Sequence, residues 1–301
     1  MTILIRNSFE IAIFVPCYRT MSRDTKQHMS LYNFIIRPFV KKMDLERASE
    51  LGLKYFRFIG RIPLMRSLNR WMYGNKPKGL QRELFGLDFY NPIGLGAGLD
   101  KHCELYNDLN NLGFSFVEVG PLDSDGVRQA CRNIRKDPPD DILAACIDRD
   151  YLTSFTLGYD FFDFFVLDFS SDPNTDILDS VLESRLTEQN YKPVILKLSG
   201  DTSSKDLERL TDFCLMNNID GIELRSLEQV KKVHEYSSGK LPIIANCHID
   251  TPLQASEALV AGASLVEIRT GLLREGPGIV QKTLDYLSKN RKTPKENGST
   301  I

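Results

Sequence analysis

The chain has 301 residues, 42% of them hydrophobic, which is enough to bury a large core and lies at the upper end of what one domain usually holds. Its six cysteines are scattered without the short paired spacing of a zinc site or a disulfide framework, so neither class is indicated and a reducing compartment is favoured. No apolar run reaches the length of a transmembrane helix.

The formal net charge of -2 hides a strong asymmetry along the chain. Residues 1–78 carry 15 Lys or Arg against 5 Asp or Glu, whereas the remainder carries 23 against 35. A basic arm therefore precedes an acidic body. The acidic body, and an arm whose basic residues alternate with aliphatic rather than stacking aromatic side chains, argue against nucleic-acid binding.

Residues 29–80 are predicted to form a small helical domain. An apolar stripe recurs at helical spacing at Leu45, Ala48, Leu51, Tyr55, Phe56 and Ile59, with Asp44 as the expected N-cap. A basic amphipathic pair of helices is typical of an element that lies on a membrane surface, here residues 29–78. The alternative is that the stripe packs on the main body of the protein.

The two chain ends are predicted to lie outside the folded domains. Residues 1–28 differ in composition from the arm and are expected to be a leader, unless Met29 is the true start. The polar residues 289–301 are expected to form a disordered tail.

From residue 92 onward, short apolar runs alternate with amphipathic stretches. The runs number eight and read PIGLGAG, FSFVEVG, DILAACID, FFDFFVLDFS, PVILKLSG, IDGIELRS, LPIIANCH and SLVEIRTG. Ser or Thr starts and Gly or Asn stops mark the intervening helices. Residues 81–288 are therefore predicted to form a (β/α)8 TIM barrel, with its working face at the strand C-termini and ELFGLDFYN as a small hairpin or plug at the bottom.

The polar residues at the ends of these strands are the candidate site. Lys197 is the most informative of them, because a lysine inside a barrel strand is costly to bury without an anion or an acid beside it. It is interpreted either as a ligand-binding residue or as half of an internal salt bridge with an acid such as Asp168. No metal site is predicted.

Several motifs together resemble one family. NPIGLGAGLDK, GFSFVEVGP, FSSDPNT, PVILKLSGD, NIDGIE and GASLVEIRTGLLREGPGIV are similar, in order and spacing, to the membrane-associated, quinone-using dihydroorotate dehydrogenases. The resemblance implies a barrel that binds FMN, oxidises dihydroorotate to orotate in pyrimidine biosynthesis, and passes electrons to a membrane quinone. It also implies a cytoplasmic protein held peripherally at the inner face of a membrane.

The resemblance assigns roles to individual positions. Ser171 corresponds to the catalytic base, and Lys101 and Asn174 to substrate-binding residues. The expected flavin contacts are Ala97, Gly98, Lys101, Lys197, Thr270 and Gly271. On this interpretation, the glycines of GLGAG let the backbone approach the flavin closely.

The chain departs from the family pattern at the working face. The connection between Pro121 and Asp141 is short where the family has a long segment with its substrate loop. Arg225 and Ser226 replace an Asn-Thr pair, and ANCHID replaces a glycine-rich turn. Three readings therefore remain open: a flavin-dependent dihydroorotate dehydrogenase, a non-catalytic barrel acting as scaffold or partner, and a flavin or phosphate binder with another substrate.

Overall fold

The body of the protein is a closed barrel of eight parallel strands. The computed structural model describes Pro38, Met43 and residues 45–60, 63–74, 77–170 and 175–290. The barrel strands are β3 (Ile93–Leu95), β4 (Phe116–Leu122), β5 (Ile142–Ile147), β6 (Phe164–Asp168), β7 (Val194–Lys197), β8 (Gly221–Leu224), β9 (Ile243–Ala245) and β10 (Leu265–Glu267). Each strand pairs with the next, and β10 pairs with β3 to close the cylinder. The predicted (β/α)8 barrel is therefore confirmed.

Helices surround the barrel and connect its strands. They are α3 (Tyr106–Asn110), α4 (Ser124–Lys136), α5 (Tyr151–Gly158), α6 (Asp176–Thr187), α7 (Ser204–Met216), α8 (Leu227–Tyr236), α9 (Pro252–Val260), α10 (Thr270–Glu275) and α11 (Gly278–Lys289). The predicted capping residues stand at two of these starts. Ser203 accepts a hydrogen bond from the backbone N–H of Asp206, and Thr251 forms a capping box with Gln254.

A two-stranded hairpin precedes the barrel and covers its N-terminal end, as ELFGLDFYN predicts. Strands β1 (Arg82–Leu84) and β2 (Leu87–Phe89) pair in antiparallel register. The ring of Phe89 lies 5.5 Å from that of Phe116, and the ring of Phe85 lies 6.3 Å from that of Phe164. Because Phe116 and Phe164 begin β4 and β6, these rings form the floor of the barrel interior.

Above this floor, successive side chains of each strand point alternately into and out of the barrel, as the pleat requires. Residues two apart, such as Phe116 and Glu118 on β4 or Ile195 and Lys197 on β7, share the inward face. The apolar lower layers are grouped into one buried cluster that includes Ala144, Phe164, Val166, Ile195, Ile244 and Leu265. The charged side chains described below lie one step further toward the C-terminal ends of the strands.

The described part of the N-terminal arm forms two helices, α1 (Leu45–Gly60) and α2 (Pro63–Tyr73). The apolar side of α1 packs on the body: Ala48 and Phe56 are each 3% exposed, and a Cβ on Gly52 would lie 2.6 Å from Leu273 of α10. This packing agrees with the alternative given for the stripe. The leader, Asp44 as N-cap and the tail beyond residue 290 lie outside the described residues.

Basic residues of the arm contact acidic residues of the body. Arg57 pairs with Glu104 at 2.7 Å, and Arg70 pairs with Asp140 at 3.1 Å. Some basic residues of the arm therefore form ion pairs with acidic residues of the body. Phe58 and Trp71 remain 64% and 47% exposed on the same helices. Among the described helices, none is long and apolar enough to cross a membrane.

Candidate functional site

Four charged side chains meet inside the barrel, near the C-terminal ends of its strands. Lys197 on β7 places its Nζ 2.9 Å from Oε1 of Glu118 on β4 and 2.7 Å from Oε1 of Glu223 on β8. Glu267 on β10 completes the group, and one carboxylate oxygen from each glutamate lies within 4.8 Å of the others. All four residues are at most 2% exposed. We call these residues the lumen cluster.

Burial and the charges of neighbouring groups shift the pKa values of the four lumen-cluster residues in different directions. Burial raises the pKa of Glu223 to about 7, with the charge of Glu118 adding to the effect. Burial and the charges of Glu118 and Glu223 hold the pKa of Glu267 well above its usual range. Burial also opposes ionisation of Glu118, but the charge of Lys197 and the hydrogen bonds to Glu118 together outweigh it and lower the pKa of Glu118. Lys197 stays protonated, because the acidic groups around it raise its pKa despite burial.

Further polar side chains surround the lumen cluster. Asn246, which follows β9, donates to Oε1 of Glu223 at 2.9 Å, and Cys146 on β5 has its Sγ 3.8 Å from Nζ of Lys197. Arg225 follows Glu223 by two residues and pairs at 3.2 Å with Asp168, which lies beside Lys197 in the register of β6 and β7. Asp168, the acid named as an example of a partner for Lys197, therefore does not pair with it. An internal salt bridge does form, but its acids come from β4 and β8.

The glycines of GLGAG make room for side chains of the chain itself. A Cβ on Gly96 would lie 2.5 Å from Oε2 of Glu267, and one on Gly98 would lie 2.5 Å from Nη1 of Arg269. Gly98 also has φ +106, a conformation that favours glycine. The Arg269 guanidinium donates to the carbonyl oxygen of Ala97 at 2.9 Å. Arg269 thus lies against the Ala97–Gly98 backbone, which the resemblance assigns to the flavin.

The neighbouring acid and base of LDK have separate roles. Asp100 is 3% exposed and accepts hydrogen bonds from the backbone N–H groups of Glu104 and Leu105 at 2.8–3.0 Å. It organises the loop after β3 as a structural acceptor. Lys101 is exposed and lies outside the lumen cluster.

The predicted site residues that the structure describes differ in their exposure. Ala97, Lys197, Thr270 and Gly271 are buried, Gly98 is half-buried and Lys101 is exposed. Ser171 and Asn174 lie outside the described residues, so their roles as base and substrate contact stay predictions. The hydroxyl of Thr270 is buried without a hydrogen-bond partner among the described residues.

Sequence reasoning missed two members of the lumen cluster, Glu223 and Glu267. Both stand inside short apolar runs, GIEL and SLVEI, as Glu118 does in FSFVEVG. A carboxylate within a buried strand is rarely tolerated without a partner. The same argument that singled out Lys197 would have marked these two glutamates as buried charges that need a partner.

The residues present do not fit FMN in the place that the resemblance assigns. A flavin-contacting residue must present a surface to the ligand, yet Ala97, Lys197 and Thr270 are covered by other atoms of the chain and are at most 5% exposed. The ammonium of Lys197 is held between two carboxylates, and Arg269 covers the backbone at Gly98.

Comparison with known proteins relates this barrel to one family. The family model for dihydroorotate dehydrogenase matches residues 219–290, which include β8, β9 and β10. The dihydroorotate dehydrogenase (quinone) of Christiangramia forsetii is 27% identical over 331 positions, covering 83% of this chain and 97% of that protein. The enzyme of the same name from Vibrio parahaemolyticus is 28% identical over 331 positions, covering 82% and 97%.

These alignments also show that the chain is short. They span 331 positions, whereas the whole chain has 301 residues, so segments of the relatives have no counterpart here. This agrees with the shortened connections seen in the sequence.

Solved structures support the same fold. The dihydroorotate dehydrogenase of Eimeria tenella in complex with ferulenol superposes with a TM-score of 0.61 at 18% identity, covering 75% of this chain and 90% of that one. A ligand-free structure of the same enzyme gives a TM-score of 0.62 at 18% identity. The family model and the curated relatives thus confirm the resemblance to the dihydroorotate dehydrogenases that the sequence motifs indicate, and the solved structures confirm the barrel fold.

Proposed function

We propose that this chain is a dihydroorotate dehydrogenase-like barrel that does not bind FMN in the family's position and acts as a non-catalytic relative, a scaffold or partner protein. One observation carries the proposal: Lys197, the expected flavin contact, is enclosed with Glu118, Glu223 and Glu267 inside the barrel. An ammonium that already has two carboxylate partners is not available to stabilise negative charge on a ligand. The placement of Arg269 against Ala97 supports the same conclusion.

The second candidate is FMN-dependent oxidation of dihydroorotate to orotate with quinone as acceptor. The similarity to the named quinone-using enzymes over most of their length favours it. On this reading Ser171 would be the base, Lys101 and Asn174 would hold the substrate, and the unpartnered hydroxyl of Thr270 would be available to a ligand group. A serine hydroxyl is a weak base and needs a neighbouring group or water to accept the proton.

The visible absorption spectrum of the purified protein separates the two candidates. We expect a colourless protein that retains no flavin through gel filtration, even after refolding with excess FMN. Flavin absorption that co-elutes with the protein would overturn the first proposal. In that case dye reduction with dihydroorotate, compared between the wild type and Ser171→Ala, tests the second, and equal rates would reject Ser171 as base.

The arm is proposed to place the protein at a membrane surface from the cytoplasmic side, through residues 29–78. The exposed side chains of Phe58 and Trp71 on basic helices support this proposal. Sedimentation with anionic liposomes tests it: binding should fall at high salt and in a Phe58→Ser, Trp71→Ser variant. Binding by neither the wild type nor the variant would leave the arm as a packing element of the barrel.

A further inference from the structure

The lumen cluster carries more negative than positive charge. With every group ionised, the three glutamates and Lys197 together have a formal charge of -2. Each of the four residues is at most 2% exposed, so this charge is buried. Uncompensated charge is very costly in such an environment, so the cluster must either take up protons or bind a cation. One divalent cation would neutralise it with all three carboxylates ionised.

The carboxylate oxygens are not all used by the protein. Lys197 and Asn246 occupy Oε1 of Glu223, and Lys197 also occupies Oε1 of Glu118. Oε2 of Glu118, Oε2 of Glu223 and both oxygens of Glu267 are buried without a hydrogen-bond donor among the described residues. Glu267 is 1% exposed, and the only hydrogen bond open to it in the cluster is one to Glu118, which requires that one of the two acids is protonated. Buried polar atoms normally have a partner, so four free oxygens at one place indicate a missing one.

The spacing of the three carboxylates suits a metal ion. One oxygen from each of Glu118, Glu223 and Glu267 lies within 4.8 Å of the others. Oxygen ligands that bind a common Mg²⁺ or Ca²⁺ ion at about 2.0–2.6 Å lie at most about 4–5 Å apart. Three carboxylates are hard ligands, which favour Mg²⁺, Mn²⁺ or Ca²⁺ over the softer transition metals.

The absence of a side chain on the neighbouring strand lets the Glu267 carboxylate take this position. Gly96 faces Glu267, and any side chain there would meet its carboxylate at 2.5 Å. The three glutamates come from β4, β8 and β10, which lie on different sides of the cylinder, so their carboxylates converge on its axis. Lys197 on β7 contacts two of the three carboxylates and adds one positive charge to the cluster.

We propose that the lumen cluster is a binding site for one hard divalent cation, held by Glu118, Glu223 and Glu267, with Lys197 as a permanent second positive charge. The proposal rests on the barrel interior and does not depend on whether the protein binds flavin. The competing arrangement is neutralisation by protons, in which a protonated Glu267 donates to Glu118.

Metal content and retention test the proposal in the full-length chain. The purified protein is unfolded in urea with EDTA, refolded in metal-free buffer or with Mn²⁺, Mg²⁺ or Ca²⁺, passed through gel filtration, and analysed by elemental mass spectrometry. We expect about one retained ion per chain for at least one metal, with a higher Tm than the metal-free sample, because a ligand that binds only the folded state stabilises it.

Two variants of equal charge change provide the comparison. Glu267→Gln removes the carboxylate with two free oxygens, and we expect its affinity for the retained metal to fall roughly tenfold or more. Glu228→Gln alters a glutamate in the first turn of α8, away from the lumen cluster, and its affinity should equal that of the wild type. If Glu267→Gln does not fold, Gly96→Ala replaces it, since the added methyl group displaces the Glu267 carboxylate.

Two results would overturn the proposal. One is a wild-type protein that retains none of the three metals and shows no change in Tm, which would mean that protons neutralise the cluster. The other is metal retention that is equal in Glu267→Gln, or in its replacement, and in Glu228→Gln, which would place the bound ion elsewhere.

Discussion

Replacing Lys197 with methionine tests the electrostatic description of the barrel interior. The two side chains have similar lengths, so the change removes the charge with little change in packed volume. Lys197 makes two ion pairs, at 2.9 and 2.7 Å, with carboxylates whose side chains are 0% exposed. Without the ammonium, no positive charge remains in the lumen cluster to keep Glu118 ionised.

The size of the effect follows from the proton that Glu118 must then bind. A glutamate carboxyl in water ordinarily has a pKa of 4.5, so holding it protonated costs about 5 kcal/mol at pH 8 and about 2 kcal/mol at pH 6. Removing one partner of a buried ion pair typically costs about 3–5 kcal/mol, which agrees with this range. We therefore expect Lys197→Met to lower the free energy of unfolding by these amounts, more at pH 8 than at pH 6.

Urea unfolding at both pH values, with a chelator present, measures the effect. Lys101→Met is the matched control, because Lys101 is exposed and its replacement should change the free energy of unfolding by less than about 0.5 kcal/mol. The double variant Glu118→Gln, Lys197→Met should recover part of the loss, since both members of the pair are then neutral. A loss below about 1 kcal/mol at pH 8, or one that is equal at pH 6 and pH 8, would refute the reasoning.

Three other predictions concern neighbouring features. In the chelated wild-type protein, the free energy of unfolding should fall as the pH rises from about 5 to about 7, because Glu223, with its pKa raised to about 7, keeps in the folded protein a proton that the unfolded chain has already lost; urea unfolding at a series of pH values would show a flat profile if this is wrong. Gly94→Ala should lower the free energy of unfolding by about 1–3 kcal/mol, because the new methyl group overlaps the ring of Phe116, and Phe116→Leu should restore part of the loss in thermal unfolding. Asp100→Asn should cost about 1–3 kcal/mol in urea unfolding, since the amide cannot accept every backbone hydrogen bond that the carboxylate accepts; a change like that of an exposed lysine would contradict its structural role.

The fold was predictable because its determinants are local. Eight apolar runs with capped helices between them specify a parallel barrel, and the order of strands follows from the order of runs. The hairpin was also predictable, since ELFGLDFYN places Gly86, a residue that tolerates the positive φ found there, between two short strands. Ser203 and Thr251 could be placed at helix starts by residue type alone.

The site was less predictable, because it depends on which side chains oppose one another across the cylinder. The sequence identifies Lys197 as a buried charge that needs a partner, but strand order and register decide that the partners are Glu118 and Glu223 rather than Asp168. Likewise, GLGAG indicates a close approach without saying what approaches. The answer, Glu267 and Arg269, comes from a strand that lies far away in sequence and adjacent in the barrel.

The hairpin at the N-terminal end of the barrel has a consequence for the limits of the folding unit. Strands β1 and β2 precede all eight barrel strands, yet Phe85 and Phe89 cover the rings at the start of β4 and β6. A fragment beginning at Pro92 would contain every strand of the cylinder but would leave its lower opening in contact with water. The smallest part of this chain that can keep its charged interior dry therefore starts before the barrel itself.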